Sequence, residues 1–138
     1  MIEYGKLQKA LKHLESQFEN YRHLDDSLPK LLQEAVAESV IQRFETCWDC
    51  LWKLLRRYLT EEIGLPEVPN GPNPVLRLAN ENQLLPTPIE TWLKYARTRV
   101  NTAHDYSGEK ANEALEIMGG FIADAIALHQ IMSGKQWD

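Results

Sequence analysis

Pro66, Pro69, Pro72, Pro74, Pro86 and Pro88 crowd into one stretch of this chain, and only Pro29 lies outside it. Proline lacks a backbone N–H and its ring clashes with the preceding turn, so it is kept out of helix interiors and central strands. The crowding leaves two tracts, one before Pro66 and one after Pro88, where regular structure can run unbroken. Both carry apolar residues at helical spacing. Leu7, Leu11, Leu14, Phe18 and Tyr21 alternate four and three apart with Lys, Glu and Gln between them, which predicts an amphipathic helix over 3–24. "DDSLP" ends it and starts the next, with Asp26 or Ser27 as N-cap and Pro29 in the first turn. Leu31, Leu32, Ala35, Ile41, Phe44, Trp48, Leu51, Leu55, Tyr58 and Leu59 then keep the period to Glu62, with a kink expected near 38–40 and Gly64 as terminator.

"GLPEVPNGPNP" (64–74) reads as a loop. Asn73-Pro74 has the form of an N-cap followed by proline at the first helical position, opening a short helix through Asn82. Thr87-Pro88 repeats that signal for "IETWLKYARTRVNTA", whose apolar stripe is Ile89, Trp92, Leu93, Ala96 and Val100. "HDYSGEK" breaks the period. Asp105 or Ser107 then caps a last helix in which Ala111, Leu115, Met118, Ile122, Ala125, Ile126 and His129 share a face. With no strand pattern or internal repeat, the expected fold is all-α: an antiparallel up-and-down four-helix bundle with a short extra helix in the 64–88 connection, one domain over 1–138. Trp48, Trp52 and Trp92 exceed what one small core takes in on this reading, which points to a homodimer interface.

Composition excludes several functions. A net charge of −5 argues against the non-specific nucleic-acid binding of basic domains. The clusters Lys94, Arg97, Arg99 and Lys53, Arg56, Arg57 read as solvated helix faces. No unbroken apolar run approaches the ~20 residues of a membrane helix, and the N-terminus is charged from Glu3. The expected location is the cytoplasm, with no membrane partner. Cys47 and Cys50 lie mid-helix without a second Cys/His pair to complete a tetrahedral site, so they read as buried, reduced thiols. No metal or cofactor is expected. His13, His23 and His129 stand alone on helices, as structural or surface histidines do, and Asp25 and Asp26 read as capping residues.

"RVNTAHDY" (99–106) is different, because Arg99, His104 and Tyr106 fall where the helical pattern fails. On a continuous helix Arg97 and His104 would be about 20° out of register, and Arg99 and His104 about 140° apart. If the helix ends near Ala103, His104 can swing back towards Arg99. A histidine titrating near neutrality can move the proton of a ribose 2′-hydroxyl or a leaving oxygen, while a guanidinium holds the scissile phosphate. Spacing alone leaves a polar helix end as the competing reading.

Three segments in order, "SVIQRFETCWDCLWKLLRRYLTEEIG" (39–64), "NPVLRLANENQLL" (73–85) and "WLKYARTRVNTAHDYSGEKANEAL" (92–115), resemble the nucleotidyltransferase substrate-binding family, a branch of the HEPN superfamily. The shared features are I-Q-R-F-E followed by W-K, a proline-initiated helix, and R-x-x-T-S/A-H-x-Y. The resemblance implies a dimeric bundle whose partner is a minimal nucleotidyltransferase encoded nearby. It leaves two functions open: a binding subunit of that transferase, or a metal-independent RNase toxin cutting RNA at the dimer cleft and neutralised by AMP transfer. It further implies Arg99 and His104 as the catalytic pair, with Arg97 fitting a longer R-x6-H spacing, and Tyr106 as the modification site. Arg43, Phe44 and Glu45 would be the family signature, Arg43, Glu45 and Asn101 serving partner or substrate binding. Family members often carry a polar residue directly after the motif arginine; this chain has Val100 there, and Asn101 one place later.

Overall fold

A computed structural model describes residues 1–103 and 108–138. Five helices make up its regular structure: α1 (Gly5–Arg22), α2 (Lys30–Glu61), α3 (Pro72–Glu81), α4 (Ile89–Thr102) and α5 (Gly108–Ser133). No strand occurs among the described residues. The four long helices form the bundle, and α3 is the short extra helix in the proline-rich connection. α2 lies against each of the other four.

The N-termini differ in detail from the capping signals. Pro29 and Pro88 occupy the N-cap positions themselves, each with an extended ψ near that of a cap residue. Their missing N–H groups therefore cost no helical hydrogen bond, and their carbonyls accept from Leu32, Gln33 and Thr91. Asp25, expected as a cap, instead accepts from the Ser27 N–H at 2.9 Å in a local turn, which lowers its pKa. Helix α3 starts at Pro72, with Gly71 as N-cap, so Pro74 still falls in the first turn where N–H groups have no intrahelical partner. Gly64, at φ +80°, turns the chain after α2 as expected.

Helix α2 runs unbroken through 38–40, where its length suggests a kink. Its stripe is buried only from Val40 onward. Leu31 and Leu32 remain 78% and 53% exposed and Ala35 is exposed, so among the described residues nothing buries the apolar stripe over the first turns of α2. The loop after α2 is pinned by Arg56, which donates to the Pro69 and Val68 carbonyls at 2.9 and 3.2 Å; it is a structural tie and not a solvated charge.

Aromatic rings hold the core together. Phe121 of α5 contacts Phe44 and Trp48 of α2 at centroid distances of 4.9 and 6.1 Å, and Tyr95 of α4 at 5.2 Å. Trp92 packs edge-on against Tyr95. Trp48 and Trp92 are 1% and 0% exposed, and Trp52 is half-buried against the same core. One chain thus shelters the indoles that the sequence pattern assigns to a dimer interface. The packed face of α5 includes Phe121, Leu128 and Met132, while Leu115 and Ile126 are only half-buried; on α4, Tyr95 is buried and Val100 is not.

By length and composition α5 is apolar enough to cross a membrane, the one such helix among the described residues. Here its buried side supplies much of the bundle core. At its far end the buried His129 sits between the rings of Tyr4 and Trp137, and neither ring nitrogen has a hydrogen-bond partner among the described residues. Burial lowers its pKa, so the ring is held neutral. The Tyr4 hydroxyl donates to the Met132 carbonyl at 3.1 Å, tying the start of α1 to the end of α5.

Candidate functional site

Helix α4 ends at Thr102, with Ala103 as its C-cap, and its last turn places Arg99 and Thr102 against α2. The two α2 carboxylates that meet them, Glu45 and Asp49, are one helical turn apart and share a face. Arg99 binds Asp49 through Nε and a terminal nitrogen at 3.3 and 3.1 Å, a fork-on-carboxylate geometry, and reaches Glu45 Oε2 with its other terminal nitrogen at 3.2 Å. The Thr102 hydroxyl, fully buried, lies 2.9 Å from the same Glu45 oxygen and 3.2 Å from the Arg99 carbonyl. Glu45 is buried and Asp49 half-exposed, so the inner ion pair is screened far less by solvent than the outer one.

This network ties Arg99 to the fold as well as to any chemistry. Arg99→Ala is expected to lower stability by roughly 1–3 kcal/mol, since it leaves a buried carboxylate without its guanidinium. Adding Glu45→Gln should recover part of that loss, with a double-mutant cycle in urea as the check. Additive losses would show that the two side chains are not coupled.

The other residues singled out in the sequence are spread around the bundle. Two residues from Arg99, Arg97 lies about 200° round the helix and faces away from α2. It lines a groove between α3 and α4 and a cleft with Asn101 facing α5. Arg43 is exposed beside His13, Ser16 and Gln17 of α1, while Phe44 is core and Glu45 holds Arg99; the I-Q-R-F-E signature thus serves three directions at once. His104 and Tyr106, with Asp105 and Ser107, lie outside the described residues. Asp49 and Thr102 were missed in the sequence. Asp49 was signalled by its i+4 spacing from Glu45, and Thr102 by its fixed place in the R-x-x-T motif.

Cys47 and Cys50 are free thiols, the first buried and the second half-buried. Burial raises both pKa values, which makes these thiols poor nucleophiles. Among the described residues no three His, Cys, Asp or Glu side chains gather to hold a metal ion.

Fold and site together define an all-helical bundle that presents an arginine, anchored by two carboxylates, at the end of its fourth helix. The chain belongs to the family described as "Nucleotidyltransferase substrate binding protein like", which matches residues 2–134. A Haemophilus influenzae protein named probable ribonuclease HepT is 27% identical over 124 residues, covering 85% of this chain and 82% of that protein. A solved structure from Haemophilus influenzae, described as revealing the fold of a substrate binding domain of a nucleotidyltransferase, shares the fold with a TM-score of 0.85 at 23% identity. The match covers 95% of this chain and 99% of that one. The crystal structure of a Thermus thermophilus protein is similar with a TM-score of 0.71 and 28% identity, covering 93% of this chain and 96% of that one.

Proposed function

We propose that this chain is the binding subunit of a minimal nucleotidyltransferase encoded beside it, in a two-gene module of the toxin–antitoxin kind, acting as a cytoplasmic homodimer. The observation that carries the reading is the family match along nearly the whole chain. Two features support it. The charge of Arg99 is compensated within the chain by Glu45 and Asp49, and the residue after it, Val100, is 60% exposed and apolar where a nuclease would gain from a polar group. Leu28, Leu31 and Leu32 form an exposed apolar corner at the start of α2 that a second copy can cover.

A second reading takes the same network as holding the guanidinium in place rather than neutralising it. An arginine whose fork is already oriented loses little freedom on meeting a phosphate, and such preorganisation is what a metal-independent RNase needs of it. Arg99 and His104 would then work across the dimer cleft, and AMP placed on Tyr106 would set a phosphate against Arg99 and fill the space RNA requires.

Co-expression with the nucleotidyltransferase of the same genome, followed by intact-mass spectrometry of the purified pair, separates the readings. A stable complex of unmodified mass is the result expected of a binding subunit. Added nucleotide mass on the peptide carrying Tyr106, abolished by Tyr106→Phe, is the result expected of a neutralised toxin. Failure of the two proteins to associate would overturn the subunit reading.

A further inference from the structure

Helices α3 and α4 enclose a groove of about 410 Å³ whose floor is Leu93, Ala96 and the exposed Val100. Arg77 of α3 and Arg97 of α4 stand on its rim, and Lys94 lies one turn before Arg97 round the α4 surface. All three cations are exposed, and none forms an ion pair among the described residues. Glu113 and Glu116 of α5 face Lys94 and Arg97 on the other side of α4, whereas no acidic side chain lines the α3–α4 groove among the described residues. An apolar strip with unpaired positive charge beside it, on a chain of net charge −5, is a local exception to the surface around it.

We propose that this groove is the docking surface for the nucleotidyltransferase, taking an acidic segment that inserts an apolar side chain against Leu93, Ala96 and Val100 while its carboxylates meet Arg77 and Arg97. The assignment rests on the subunit reading above and names where that contact is made. Two physical arguments favour protein over RNA here. Among the described residues no aromatic side chain lines the groove on which bases could stack, since Trp92 and Tyr95 of α4 are buried in the core. An apolar side chain with its β-branch in solvent gains from burial against another apolar group and nothing from a phosphate backbone.

The test compares the unsubstituted chain with Arg77→Glu and Val100→Asp, each titrated with the purified nucleotidyltransferase of the same genome. Both side chains are exposed, so circular dichroism and melting temperature should match the unsubstituted chain. Each substitution is expected to weaken the complex about 10–100-fold, by charge repulsion at the rim and by a desolvated carboxylate at the anchor respectively. Affinity of the unsubstituted chain should fall with added salt, and Arg77→Glu should flatten that dependence. A complex that survives both substitutions unchanged overturns the surface while leaving the subunit reading intact. So does a loss of single-stranded RNA binding with the protein complex preserved. No complex with the unsubstituted chain would overturn the subunit reading and the surface together.

Discussion

His104→Ala is expected to cut any RNA cleavage by this chain about 10²–10⁴-fold, the range a single positioned general acid–base contributes. The nuclease reading assigns His104 the proton and Arg99 the phosphate, so the two substitutions should separate in kinetics. Removing the imidazole leaves the guanidinium clamped by Glu45 and Asp49 and should lower kcat with little change in KM. Arg99→Lys keeps a charge but loses the fork and should raise KM as well. Cleavage of a labelled RNA by the unsubstituted chain should persist in EDTA, since neither role calls for a metal. Activity that survives His104→Ala, or that requires Mg²⁺, would belong to another site or another protein. Absence of cleavage by the unsubstituted chain would leave the binding-subunit reading alone.

Phe121→Ala is the substitution expected to damage the fold most, by about 3–5 kcal/mol. Its ring is where α2, α4 and α5 meet, in contact with Phe44, Trp48 and Tyr95 at once, so deletion leaves a cavity walled by three helices that cannot collapse together. Against a total of roughly 5–15 kcal/mol for a domain of ordinary stability, that loss brings the chain near its unfolding threshold. Urea denaturation should show a lowered midpoint with an unchanged slope. Leu31→Ala provides the contrast: its side chain is solvent-exposed in the single chain, and the change should stay within about 0.5 kcal/mol. A larger loss at Leu31, dependent on protein concentration, would show that a second copy covers it.

These two sites differ in how far they could be read from the sequence. The helices themselves were legible because proline crowding and 4-3 spacing are local signals, and their ends shifted by only a few residues. Phe121 escaped the predicted face because α5 is apolar on most sides, from Met118 through Leu128, so its stripe has no sharp phase. Leu31 and Leu32 erred the other way: periodicity continued into them, but burial depends on whether another helix lies opposite, which no local pattern records. The Glu45–Arg99 contact joins residues far apart in the chain. The family resemblance marked both ends without saying that they touch. Thr102 was hidden for the same reason, as its partner lies on another helix.

The continuity of α2 carries a consequence for how such chains can change over evolutionary time. About 48 Å of uninterrupted helix, at 1.5 Å per residue, fixes the angular phase between Arg43, Phe44 and Glu45. One residue inserted or deleted upstream or downstream within that helix would rotate everything beyond it by about 100° relative to the rest. Glu45 would be turned out of reach of Arg99, or Phe44 out of the core, with no compensating slide available while α2 lies against each of the other helices. Length variation is therefore expected to be purged from α2 and to accumulate in the turns that join the helices, so that α2 diverges by substitution alone.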